Sequence, residues 1–111
     1  MPASHTFSAD TVDAARILGL EIARARRARR MTATELAERA GITRVTLTKV
    51  ERGTPTVALG IYFELAVLVG LDLFGADDRG GLRDRLIRSR ERLDLLPQRV
   101  REPTRPVRDD F

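Results

Sequence analysis

The sequence predicts an all-α fold of four to five short helices, followed by a C-terminal helix and a tail. Three observations predict it. Apolar residues recur at three- and four-residue spacings along most of the first 75 positions, the period of a helix with one buried face. Thr residues stand where such stretches begin and Gly residues where they stop. Two-residue alternation is confined to Leu71-Asp72-Leu73-Phe74, which reads as a short strand or an irregular end.

Residues 1–9 read as a flexible leader, and His5 within it as a solvated side chain. From Asp10 to Arg30 the text is helical, rich in Ala and Arg and free of Pro, with Leu18, Ile22 and Ala25 on one stripe. Thr32 and Glu35 form a T-x-x-E capping box, so a second helix starts near Ala33. Its apolar residues are Leu36, Ala37 and Ala40, and Gly41 suits the left-handed position that ends it. Thr43 is the N-cap expected for a third helix, Arg44 to about Arg52, with Leu47 and Val50 facing inward and Gly53 ending it.

A fourth helix, ALGIYFELAVLVGL, is expected to open at Thr54-Pro55 or Thr56. Only Gly60, Glu64, Gly70 and the Tyr62 hydroxyl break its apolar character. Such a helix needs two buried faces. Four short helices offer too little protein to wrap it, which favours a homodimer over a helix buried wholly within one chain. Residues 10–75 then form one domain, 76–81 a linker by composition, 82–96 a further helix and 97–111 a tail. The helix LRDRLIRSRERLDLL carries a thin stripe of Leu82, Leu86, Leu93 and Leu96 with charges around it, and Pro97 stops it. The tail is rich in Pro and charge and reads as disordered when alone.

Composition narrows the function. The 111 residues carry a net charge of +4, and 19 of the 20 basic residues are Arg, which invites a polyanionic partner. There is no Cys and a single His, so neither a thiolate metal site nor a Cys nucleophile is available. No Gly-rich phosphate loop and no Ser/His/acid set is present, so no enzyme, metal or cofactor is expected. No apolar run approaches the ~18–20 residues of a membrane span. The start lacks the regions of a signal peptide, so a soluble cytoplasmic chain is the expectation.

The stretch TATELAERAGITRVTLTKVERG carries the chemistry. Two short helices joined by a tight turn must cross closely. Ala37 leaves room at the crossing, Gly41 makes the turn, and Leu47 and Val50 anchor the second helix on the first. That leaves Arg44, Val45, Thr48 and Lys49 facing outward, free to enter a DNA major groove. Arg44 can bond guanine bidentately, Lys49 can reach guanine or a phosphate, Val45 can meet a thymine methyl group, and Thr48 can donate or accept. Thr46, Arg52 and Thr54 suit phosphate contacts that set register. An ordinary solvated helix face is the competing reading. Arg24, Arg27, Arg29 and Arg30 read chiefly as a solvated face that attracts DNA at long range.

From about Leu18 to Leu71 the chain resembles the Xre or phage repressor (Cro-type) helix-turn-helix family, on the text TATELAERAGI, TRVTLTKVERG and LAVLVGL. The resemblance implies an ion pair between Glu51, in the ERG ending, and Arg26 in the first helix. It also implies a dimer on a near-palindromic double-stranded operator. One departure is Ala33, where many members place a Gln that braces the recognition helix on the DNA backbone.

The fourth helix, the LDLF segment and the tail are most similar to the HipB-like antitoxins, repressors that bind a HipA-like Ser/Thr kinase toxin and regulate their shared operon. This resemblance implies dimerisation through Ile61, Leu65, Leu68, Leu71 and Leu73, with an inter-subunit strand at 71–74. It also points to the tail end, Arg108, Asp109, Asp110 and Phe111, as a toxin ligand. A stand-alone Xre-type regulator, and an interaction module that no longer reads DNA, are the competing functions.

Overall fold

Ser8 opens the first helix. In a computed structural model of the chain, which describes residues 6–76 and 81–100, the Ser8 hydroxyl accepts a hydrogen bond from the Thr11 amide at 3.2 Å. Helix α1 then runs Ala9–Ala28. It starts and ends one to two residues earlier than the sequence suggests. The reason is Arg30, whose φ of 57° turns the chain into left-handed geometry. The Arg30 amide bonds the Arg27 carbonyl at 2.9 Å and the Met31 amide bonds the Arg26 carbonyl at 3.1 Å, the paired closure of a Schellman motif.

Helix α2 is Ala33–Ala40 and helix α3 is Arg44–Glu51. The capping box is complete: the Glu35 amide donates to Thr32 Oγ1 at 3.0 Å and the Thr32 amide to Glu35 Oε1 at 3.3 Å. Thr43 caps α3 by accepting from the Thr46 amide at 3.1 Å. Gly41 and Gly53, at φ of 71° and 80°, close α2 and α3 with the same paired bonds that close α1.

Helix α4 is Leu59–Leu68, several residues later than Thr54-Pro55 or Thr56 would start it, and no side chain caps it. Residues 54–58 instead form a loop that is pinned twice. Val57 packs on the core, and the Thr54 carbonyl accepts a 2.7 Å hydrogen bond from the buried Tyr62 hydroxyl.

The core is one cluster: Ile22 and Ala25 from α1, Leu36 and Ala37 from α2, Leu47 and Val50 from α3, and Tyr62, Leu65, Ala66 and Val69 from α4 and its end. α1 and α2 each pack on both α3 and α4. Burying the larger of these side chains contributes roughly 1.5–3 kcal/mol each before ordering costs. Between α1 and α3 the approach is close enough to exclude a side chain. A Cβ on Gly19 would overlap the Val50 carbonyl oxygen and lie 3.0 Å from the Gly53 nitrogen.

The 71–74 segment forms no strand in the single chain. Leu71 and Leu73 are half-buried against the core and Asp72 and Phe74 are exposed, with isolated bridge residues at Leu73 and Ala76. Phe74 has a φ of 57°, outside extended geometry, and its ring meets Phe63 edge-on at 5.9 Å.

The chain divides at Gly75 into two compact units. The second contains α5, Gly81–Asp94, none of whose residues is buried. The sequence reading extended it to residue 96. Leu95 and Leu96 instead close onto Arg92 and Leu93 through three-residue hydrogen bonds. No helix among the described residues is long and apolar enough to cross a membrane. His5, most of the proposed linker and the tail end Arg108–Phe111 lie outside the described residues.

Candidate nucleic-acid interface

Helix α3 is only two turns long, so two core residues orient it. Leu47 and Val50 are 1% and 0% exposed, which forces Arg44, Val45, Thr48 and Lys49 outward. Val45 is 66% exposed, an apolar side chain left in solvent beside three polar ones. The Thr48 hydroxyl donates to the Arg44 carbonyl at 3.0 Å, so its lone pairs stay available to accept.

Arg44 is held rather than free. Its Nη1 donates to Thr34 Oγ1 on α2 at 2.9 Å, which steers the guanidinium along the outer surface of the two-helix unit. Nothing in the sequence signals this link, since Thr34 lies ten residues back on another helix. The Lys49 and Arg52 side chains are exposed and make no hydrogen bond or ion pair among the described residues. Thr46 is half-buried and its hydroxyl accepts from the cap Thr43 at 3.1 Å. Thr54 is also half-buried, with its carbonyl taken by Tyr62.

Beside this face lies a cleft of about 510 Å³ lined by Leu20, Ala23, Arg24, Arg27, Thr48, Glu51 and Arg52. Arg24 is partly neutralised by Glu21 on its own helix, whereas Arg27 carries no carboxylate partner among the described residues. The cleft therefore joins α1 cations to Thr48 of α3 and to Arg52 just after it. Sequence reasoning treated Arg24 and Arg27 as a general solvated face. The signal available was their three-residue spacing on the same side as the small Ala23.

Arg26 differs from its neighbours. It is 9% exposed, and its Nε and Nη2 donate to the two Glu51 carboxylate oxygens at 2.7 and 3.1 Å. The hydrogen bonding to Glu51 raises the guanidinium's pKa above its ordinary value, against the opposing effect of burial. Arg26 is thus committed to the interior, and it locks the end of α3 to α1.

The five residues expected to form a dimer contact separate in the structure. Leu65 is 0% exposed within the single chain, where α1 and α2 pack against α4. Ile61, Leu68, Leu71 and Leu73 are half-buried against the same core. The apolar surface left over is Leu59 at 66%, Val67 at 54% and Phe74 at 61%, with Phe63 between them. α4 therefore does present a second apolar face, but one turned from the predicted set.

Residues 22–74, just under half of the chain, match the helix-turn-helix family model. That segment spans the last two turns of α1 through the turn after α4, and it is a helix-turn-helix domain. The matched family is one of DNA-binding regulators, which agrees with the Xre-type resemblance and supports a DNA-binding transcriptional regulator. No curated protein and no solved structure shows significant similarity to the chain.

Proposed function

We propose that this protein is a dimeric, sequence-specific transcriptional repressor of the cytoplasm, and within that class a HipB-like antitoxin that holds a HipA-like kinase toxin and represses their shared operon. The observation that carries the DNA-reading part is the outer face of α3: Arg44, Val45, Thr48 and Lys49 stand exposed together, and Arg44 is steered by Thr34. Val45 on that face suits a thymine methyl group, and Arg44 suits guanine. Arg52 and Thr46, with Arg27 in the neighbouring cleft, supply the phosphate contacts.

Two chains pair through the exposed Leu59, Val67 and Phe74 and the half-buried Phe63, with Ile61, Leu68, Leu71 and Leu73 at the margin. Their recognition helices then enter successive major grooves ~34 Å apart. Repression follows from occupation of the promoter. The tail residues Arg108, Asp109, Asp110 and Phe111 are the proposed toxin ligand.

The test begins with selection of bound sites from random duplex DNA by the full chain. A near-palindromic site is expected, and on it Arg44→Ala costs ~1–3 kcal/mol and relaxes one base position per half-site. Loss of affinity equal on every sequence, or no loss, removes the base-reading role. Val67→Glu should yield monomers that keep the fold. A dimer unaffected by Val67→Glu moves the interface elsewhere. Pull-down from the host with full-length bait and with bait cut after Leu96 tests the antitoxin reading. Recovery of a stoichiometric kinase-like protein supports it, and recovery of DNA and self alone leaves a stand-alone regulator.

A further inference from the structure

Helix α5 and the turn that follows it carry an exposed seam. Leu82, Leu86, Leu93 and Leu96 are 43%, 52%, 66% and 63% exposed, and no residue of the helix is buried. Their spacing, with Ser89 between, alternates four and three residues, the spacing that keeps a narrow stripe facing another helix. A helix of this length is marginal in water without such a partner.

The residues beside the seam decide what the partner is. Arg83 and Arg90 border one side, and Arg85 and Arg92 the other. The acidic residues Asp84, Glu91 and Asp94 lie farther round the helix. Arg83, Arg90 and Arg92 have no carboxylate partner among the described residues. A second copy of α5 fits badly: parallel or antiparallel, the pairing sets Arg against Arg along both borders, and like charges so placed act against association. A lipid surface asks for a broad apolar face, whereas this stripe is narrow, and Ile87, 47% exposed, stands apart from it beyond Arg83. A duplex would leave the Leu seam uncovered.

We propose that α5 is a docking helix for another protein, whose matching surface is a helix or groove with an apolar floor bordered by Asp and Glu. The seam supplies the contact area, and Arg83, Arg90 and Arg92 supply selectivity against basic surfaces and against self-pairing. The proposal rests on α5 alone and stands whether or not α3 reads DNA.

The test uses the full chain and two labelled helical peptides with Leu at every seam position, one bordered by Glu and the other by Arg. Fluorescence anisotropy should show the Glu peptide binding at least about tenfold tighter, with the preference shrinking as salt rises. Arg83→Glu/Arg90→Glu/Arg92→Glu should reverse the preference. Leu86→Ser/Leu93→Ser should abolish binding of both peptides. These residues are exposed, so the core is untouched, and circular dichroism verifies that the domain stays folded. Equal binding of the two peptides, binding of neither, or binding that survives the Leu substitutions overturns the proposal. So does association with anionic phosphatidylglycerol vesicles in place of the peptides, or loss of a homodimer in the Leu variant.

Discussion

Arg26 and Glu51 are joined by two nearly parallel hydrogen bonds, and a third, from Arg26 Nη1 to the Met31 carbonyl at 3.0 Å, ties the pair to the turn before α2. The two side chains keep only 10% and 15% exposure. One ion pair therefore fixes α1, the α1–α2 turn and the end of α3 together. Glu51→Ala leaves a buried guanidinium without its counter-charge and should cost about 3 kcal/mol. Arg26→Met/Glu51→Leu removes both charges and should recover most of that loss. Urea unfolding of the two single variants and the double variant checks this. Additive losses in the double variant would mean that the two residues act separately.

Gly19 faces the carbonyls of Val50 and Glu51 where α1 meets the end of α3. Gly19→Ala favours the helix by about 1 kcal/mol through backbone propensity. It also drives a methyl group into main chain, which cannot step aside as a flexible side chain can. A net loss of about 2 kcal/mol is expected. Gly60, in α4, has nothing within 4 Å of a built Cβ, so Gly60→Ala should be neutral or stabilising. Thermal melts of the two variants should move in different directions.

Arg30 occupies the left-handed position of the Schellman closure after α1, where α2, α3 and α4 are each followed by Gly. A side chain in that conformation costs ~1 kcal/mol or more. Arg30→Gly should raise stability by about 0.5–1 kcal/mol, the Gly gain being reduced by its freer unfolded state. A stability decrease in chemical denaturation would show that the Arg30 side chain contributes more than its backbone strain removes.

Tyr62 is 5% exposed, and burial pushes its phenol pKa above the ordinary value. A folded-state pKa above the unfolded one favours the folded chain while the phenol is protonated. That contribution is complete below about pH 10, the unfolded value, and is lost as pH rises through the folded value. Stability should fall on the alkaline side of pH 10, with tyrosinate absorbance appearing together with unfolding. Tyr62→Phe leaves the Thr54 carbonyl without this partner, costs about 1 kcal/mol, and removes the tyrosinate signal, the chain having no other Tyr.

Much of the local architecture is written locally. The T-x-x-E box sets the start of α2 because both of its bonds run between residues three apart, and Gly41 and Gly53 end their helices by backbone freedom alone. The outward placement of Arg44, Val45, Thr48 and Lys49 follows from Leu47 and Val50 once a short helix is assumed. The start of α4 was not legible. Thr and Pro suggested a cap, but the loop is held by Val57 on the core and by Tyr62 eight residues beyond Thr54.

The sequence by itself determined that the chain is helical, where its capped helices begin, and which side of α3 is turned outward, because periodicity and caps act over one or two turns. Tertiary structure alone decided the rest. Leu65 belongs to the core and Val67 to the surface because of how α4 lies against its neighbours, and an apolar helix has no periodic signal to separate them. The bond from Arg44 to Thr34 joins residues on different helices, and the cleft of Arg24, Arg27 and Arg52 brings α1 to the end of α3. Such relations depend on helix crossing, which side-chain volumes and the Gly19 contact set in three dimensions.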